Sequence, residues 1–401
     1  MEFEFGEREE ALRREIKAFV DQELPPGWIG LGLAEESRDE DWDFTMSIAR
    51  KLAQKRWLAM AWPKEYGGEG ASIWEQFAYN ESVGYWGIPG SMMGVSGIAW
   101  VGPSLMLFGS DEQKATYLPP IVSGDADGVW CTGYSEPDAG SDFASLQTRA
   151  VRQGDEYIIN GQKIWTSCAH RARWCWLAVR TKTDVAKKHH GISLIIVDMK
   201  SAGITVNPLV SYSGHHIFNE VFFDDVRVPA ANLVGEENKG WSYLMQALAH
   251  ERGGTAPFGY GVLKRLLDEL ILYAGETKHE GIPLSRNPLI RRKLADRAIE
   301  LETVRMFACE TAWKMSQGHS ILYEPSRDKA YGSAAMERLA ITGTEILGAY
   351  SQVDPDSRWA RIKGGIQNIY LLFPGASIAA GTDDIERNII GQFRLGLPRS
   401  Y

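Results

Sequence analysis

Residues 131–142 read CTGYSEPDAGSD, and residues 160–167 read NGQKIWTS. The first stretch gathers Thr132, Tyr134, Ser135 and Ser141 around Gly133, Pro137 and Gly140. Such a run offers backbone N–H groups and short hydroxyl side chains that can approach a flat polar ring or a phosphate, or it builds only a cluster of β-turns. In the second stretch Asn160-Gly161, flanked by Glu156-Tyr157-Ile158-Ile159 and Gln162-Lys163-Ile164-Trp165, is a strong hairpin signal. The spacing therefore predicts a hairpin that turns at Asn160-Gly161 and ends in Trp165, an aromatic able either to cover a planar ring or to fill a domain core.

Working outward, residues 174–180, 192–198 and 220–228 are further strand-like runs, the last bounded by Pro229. Their spacing predicts an antiparallel β domain. The flanks change period. Residues 7–22 place Leu12, Ile16, Phe19 and Val20 on one helical face before the break at Pro25-Pro26-Gly27, and residues 44–58 and 73–84 are helical in pattern. Beyond Gly240, Leu263, Leu266, Leu267, Leu270 and Ile271 form an apolar stripe. A second stripe, Leu294, Ala298, Leu301, Ala308, Ala312 and Met315, suits a packed bundle. The fold class expected is α+β and multidomain: an N-terminal helical domain over residues 1–126, a central antiparallel β domain over 127–236, and a C-terminal helical bundle over 237–401. A chain of 401 residues exceeds what one core usually serves, which agrees with that division.

Composition narrows the functional classes. Hydrophobic residues make up 44% and charged residues 24%, values of a folded globular chain. The net charge of -9, from 43 basic and 52 acidic residues, argues against a duplex nucleic-acid surface. The N-terminus is acidic and amphipathic, unlike a signal peptide, and no apolar run reaches the roughly 18 residues needed to span a bilayer. A cytoplasmic protein without membrane attachment is expected. Cys131, Cys168, Cys175 and Cys309 form no C-x-x-C pair and are expected to be small buried apolar groups. His189-His190 and His215-His216 are sequence neighbours, not i, i+4 ligands, so no metal is expected and they are read as surface or locally hydrogen-bonded. Neither G-x-G-x-x-G nor G-x-x-x-x-G-K-[ST] occurs, which argues against a Rossmann or P-loop nucleotide site.

The two motifs, at this separation, resemble the flavin-binding region of the acyl-CoA dehydrogenase family. Gly381-Thr382-Asp383-Asp384-Ile385-Glu386-Arg387-Asn388 adds a third match near the C-terminus, and the helix–strand–helix order extends the resemblance over nearly the whole chain. It implies FAD held between the β and C-terminal domains and touching a neighbouring subunit. Carried over residue by residue, it implies flavin contacts from Thr132, Tyr134, Ser135, Gly140, Trp165, Ser167, Thr382 and Asp384, with Ser141 near the pyrophosphate. It implies Ser141, Leu248 and Arg252 as acyl-CoA contacts. The chain departs from the family pattern in two places. Where the family usually has an Arg reaching the neighbour's pyrophosphate, residues 276–281 offer only Lys278, a point charge without the bidentate fork. The Gln-Gly pair near the adenosine is replaced by Glu345 and Ala349.

The reaction implied by the resemblance needs a carboxylate base, a hydride acceptor and donors for the thioester oxygen. In many relatives the base directly precedes the Gly-Thr of the third motif; here that residue is Ala380, whose backbone N–H can still serve as an oxyanion donor. The branch containing isovaleryl- and long-chain acyl-CoA dehydrogenases carries its base earlier, at the position of Glu251. Glu251 is thus the expected base, the alternative being an ordinary Glu251-Arg252 pair on a helix surface. Gly253 and Gly254 beside it leave room for a branched or bulky acyl chain. The resemblance further implies a homotetramer and an electron-transferring flavoprotein as acceptor. Three other readings stay open: a subunit of a heterotetramer with a related chain, a flavin monooxygenase or desulfinase of the same fold, and a non-catalytic CoA-binding protein.

Overall fold

The computed structural model describes residues 4–30, 38–91, 97–251 and 255–398, apart from the side chains of residues 247–251 and 255. Contacts within the chain gather into two compact units. One comprises residues 32–71 and 89–251, the other residues 1–31, 72–88 and 252–401.

The first unit is built on a seven-stranded sheet: β1 Trp130–Gly133, β2 Arg149–Gln153, β3 Glu156–Lys163, β4 Trp174–Arg180, β5 Ile192–Asp198, β6 Ile204–Leu209 and β7 Phe218–Pro229. The order is β1-β4-β2-β3-β7-β6, with β5 on the other side of β4. The β2–β3, β3–β7, β4–β5 and β6–β7 pairings are antiparallel, whereas β1–β4 and β2–β4 run parallel. The two faces bury different partners. Cys175, Leu177, Val179, Ile195 and Val197 face a core shared with Tyr157, Ile159 and Val221. Trp176, Ala178, Leu194 and Ile196 face the opposite way, onto Leu105, Leu118 and Ile121 of the preceding helices. Burial on both faces explains why β4 and β5 read as continuous apolar runs rather than alternating ones.

One local expectation is overturned. Asn160-Gly161 is not a turn: β3 runs straight through it, with a bulge between Ile159 and Gly161 against β7. The Asn160 side chain bonds Asp225 twice, donating to Oδ1 at 2.9 Å and accepting its backbone N–H at 3.0 Å. A Cβ at Gly161 would stand 2.6 Å from Thr148, so this glycine serves a close backbone approach. The hairpin turns instead at Gly154-Asp155, where Gly154 has φ 63 and Gln153 pairs with Glu156.

The helical unit contains Glu7–Glu23, Ile73–Trp86, Thr255–Glu276, Pro288–Ser316, Glu324–Leu347, Gly365–Ala376 and Asp383–Phe393. The Ile73–Trp86 helix opens on a Ser72/Glu75 capping box, and the Pro288–Ser316 helix on Asn287, whose side chain accepts from Leu289 N–H ahead of Pro288. Leu263, Leu266, Leu267, Leu270 and Ala274 form the buried stripe of the Thr255–Glu276 helix, packed against Leu294, Leu301 and Leu339. Ile271, expected on that stripe, is 45% exposed. At about 100° per residue it falls at the edge of the arc that Ala274 occupies near its centre. Among the described residues no helix is long and apolar enough to cross a membrane.

Candidate active site

In the β unit the two motif segments lie side by side. Ser135 C=O accepts Ile164 N–H at 2.9 Å, and Glu136 and Ala139 exchange backbone hydrogen bonds at 3.1 Å around Pro137-Asp138. Beneath them Lys163, fully buried at the end of β3, donates to Glu136 Oε1 at 2.8 Å and to Tyr134 C=O at 3.0 Å. Glu136 also accepts the backbone N–H groups of Gln147 (2.5 Å) and Thr148 (2.8 Å). Burial pushes the Lys163 ammonium down to about 8 in spite of the adjacent carboxylate. Burial alone would raise the Glu136 carboxyl, but the Lys163 charge and the hydrogen bonds it accepts hold it below its ordinary value.

Above this pair the surface is polar and open. The hydroxyls of Thr132 and Ser167, both half-buried, and of Ser135 and Ser141 make no hydrogen bond to any other described residue. Gly140 and Ser141 are exposed. Tyr134 stacks with Trp100 at 6.2 Å between centroids and tilts against Phe143 at 5.6 Å. Trp165 is 59% exposed and sits at φ 59, a left-handed conformation rare for so bulky a residue, which costs about 1–3 kcal/mol. Its ring meets Phe218 edge-on at 5.9 Å. Hydroxyls without partners among the described residues, on segments that also carry an exposed, strained aromatic, make a donor set that fits a planar ring with polar edges, as a flavin has.

A neighbouring cluster escaped the sequence reading. His170 and His216 stack at 4.0 Å, and the buried Asn219 amide bridges them, lying 3.1 Å from His170 Nδ1 and 2.8 Å from His216 Nε2. Asn219 also donates to Thr166 C=O at 3.1 Å and so braces the backbone next to Trp165. The signal was present only as a His and an Asn in β7 and its approach, with no spacing to tie them to residue 170. The buried Lys163 was not singled out either, although a usable signal existed: it shares the strand parity of Tyr157 and Ile159.

In the helical unit the candidates are more exposed. Lys278 lies in a two-residue strand, Lys278–His279, just past the end of the Thr255–Glu276 helix. Glu345 is exposed near the end of the Glu324–Leu347 helix and pairs with Lys293 at 2.5 Å; Ala349 is exposed in the following turn. Ala380 is exposed with φ 54, followed by Gly381 at φ 94. Thr382 caps the Asp383–Phe393 helix, its hydroxyl accepting Ile385 N–H at 3.2 Å, and Asp384 is exposed and pairs with Arg387. The structure thus brings Ala380, Thr382 and Asp384 onto one turn and leaves Lys278 and Glu345 on separate elements. In the first unit, Glu251 is the last residue of the Gly240–Glu251 helix. The side chains of Glu251 and Leu248, and Arg252 altogether, lie outside the described residues.

The chain belongs to the acyl-CoA dehydrogenase family. Residues 6–125, 131–226 and 238–395 match its N-terminal, middle and C-terminal domains in turn. The α+β multidomain architecture expected from the sequence is therefore the family's, and the protein is an oxidoreductase of this class. Acyl-CoA dehydrogenase FadE26 of Mycobacterium tuberculosis is 33% identical, with both chains fully covered. Among solved structures, the Tcur3481-Tcur3483 steroid ACAD superposes with a TM-score of 0.90 at 34% identity, covering all of both chains. The ChsE4-ChsE5 complex from Mycobacterium tuberculosis gives 0.89 at 33% identity, again over the full length of both.

Proposed function

We propose that the protein desaturates an acyl-CoA thioester between its α and β carbons, giving the trans-2-enoyl-CoA, with FAD as cofactor and a bulky, steroid-like acyl group as substrate. The observation that carries this reading is that the hydroxyls of Thr132, Ser135, Ser141 and Ser167, without hydrogen-bond partners among the described residues, lie on the two paired segments that also carry the exposed Trp165. The description of the structural relative as a steroid ACAD, together with Gly253 and Gly254 after Glu251, supports the bulky substrate.

Glu251 takes the α proton, and the Ala380 N–H, on a turn with left-handed backbone, holds the thioester oxygen as charge gathers there. Thr132, Tyr134, Ser135, Gly140 and Ser141 hold the flavin edge and pyrophosphate, while Trp165 covers the ring and keeps water from its face. Ser141, Leu248 and Arg252 line the acyl-CoA. Thr382 already accepts the Ile385 N–H, so its O–H is what remains to offer. Asp384 joins it, and Lys278, Glu345 and Ala349 face the pyrophosphate and adenosine of a neighbouring subunit's cofactor. Bound FAD supplies the acceptor for the β hydride, and an electron-transferring flavoprotein is the expected partner. The domain boundaries at 126/127 and 236/237 belong to the same reading.

A second reading is favoured by particular residues. Ala380 carries no carboxylate and residues 276–281 no arginine, which suits a chain that completes its sites with a related partner. The similarity to a complex of two different chains, ChsE4-ChsE5, supports it. Anaerobic bleaching of the flavin absorbance by linear, branched and steroid-derived acyl-CoAs separates the cases. Wild type is expected to bleach and Glu251→Gln to keep FAD without bleaching; a fully active Glu251→Gln variant would remove Glu251 as base. FAD uptake only after adding a related chain would establish the mixed assembly.

A further inference from the structure

The buried Lys163–Glu136 pair sits where both flavin-facing segments are tied together. Tyr134 and Ser135 precede Glu136 directly, and Trp165 follows Lys163 by two residues. The Lys163 ammonium bonds both the Glu136 carboxylate and the Tyr134 carbonyl, and Ile164 N–H bonds the Ser135 carbonyl. Glu136 in turn holds the Gln147 and Thr148 amides, so a third segment is fixed to the same point. A buried ion pair is a poor way to gain stability, since apolar groups of the same volume often do as well or better. What apolar groups lack is direction: the ammonium is aimed at one carbonyl and one carboxylate at once.

We propose that Lys163 and Glu136 are positioning residues for the cofactor. They set the spacing between the Ser135 and Trp165 segments that the flavin requires. The inference rests on the reading that residues 131–142 and 164–167 hold FAD. Neither side chain touches the cofactor in this account, since both are buried beneath the segments they fix.

The test compares Lys163→Met, Glu136→Gln and the double variant by thermal unfolding of apoprotein, by FAD titration and by the visible spectrum of bound flavin. Each single variant leaves an uncompensated or mismatched buried group and is expected to lose both melting temperature and FAD affinity. The double variant buries no lone charge, so its melting temperature is expected to recover. Its FAD affinity is expected to stay about tenfold or more below wild type, with a shifted flavin spectrum. Recovery of FAD affinity along with the melting temperature would overturn the proposal and leave the pair a purely structural one. If the double variant does not fold, Glu136→Asp decides. It keeps the charge but draws it back by one methylene, so weakened FAD binding with near-native melting supports positioning, and wild-type FAD binding overturns it. Wild-type apoprotein that takes up no FAD, alone or with a related chain, would overturn the flavin reading and this inference together, an outcome distinct from variants that bind as wild type does.

Discussion

The two units bury their polar groups in different places. In the β unit a buried ion pair, Lys163–Glu136, lies directly beneath the candidate cofactor residues. In the helical unit the buried polar networks join helices to one another. Arg327 bridges Asp328, Glu310 and the Phe307 carbonyl, and Arg305 meets Glu81 at 2.8 Å. Of the candidates there, Lys278, Glu345, Ala349, Ala380 and Asp384 are exposed and Thr382 is half-buried. The candidates of the β unit thus rest on a buried polar pair, whereas those of the helical unit are carried on exposed elements. A change beneath the β-unit candidates disturbs the fold, whereas an exposed residue can change at little cost, and the departures that the resemblance implies, at Lys278, Glu345, Ala349 and Ala380, all fall on exposed residues.

The largest test of that contrast sets one lysine against another. Lys163→Met leaves Glu136 buried without its counter-charge and is expected to cost about 3–5 kcal/mol in denaturant unfolding. Lys278→Met, on an exposed two-residue strand, is expected to stay within about 0.5 kcal/mol of wild type. Similar losses from both would erase the distinction between the units.

Acid sharpens the same comparison within the β unit. Burial, then the neighbouring His216 ring and the Arg171 guanidinium, hold His170 down at about 4, with Asp39 pulling weakly the other way. The unfolded chain therefore binds this proton at higher pH than the folded one. Stability from neutral His170 is complete above its ordinary value of 6.5 and drains away as pH falls from there towards 4. The ring is only half-buried, so solvent screening makes this a smaller effect than losing Lys163. His170→Gln should flatten the fall of the urea midpoint between pH 6.5 and 4; an unchanged slope would mean that another group carries the acid response.

Element type was legible wherever periodicity and burial agreed. The buried runs at 174–180 and 192–198 became β4 and β5 with those limits, and the Leu263 to Leu270 stripe became a buried helix face. The hairpin was misplaced because Asn160-Gly161 satisfies two physical needs with one dipeptide: its side-chain amide can close a turn or clamp a bulge, and its glycine can turn or admit a close neighbour. Only the pairing with Asp225, 65 residues away, decides between them. The site was legible as two motifs, but what lies under them was not. The Lys163–Glu136 contact spans 27 residues and the Asn219–His170 contact 49, distances at which local pattern carries no signal.

Backbone strain gives the smallest and sharpest comparison, because both units place a non-glycine residue in the same left-handed region: Trp165 at φ 59 and Ala380 at φ 54. A side chain there costs about 1–2 kcal/mol, and glycine returns part of that through its freer unfolded chain, so relief should net roughly 0.5–1 kcal/mol. Ala380→Gly removes one exposed methyl and keeps the N–H, so it is expected to stabilise the fold by that amount while acyl-CoA still bleaches the flavin. Trp165→Gly relieves the same strain but deletes the ring, along with its edge contact to Phe218, and is expected to weaken FAD binding. The pair separates conformation from chemistry. Loss of bleaching in Ala380→Gly would show that the rigid turn, and not merely its N–H, is needed to hold the thioester. Undiminished FAD binding in Trp165→Gly would mean the strained tryptophan is kept for something other than the ring.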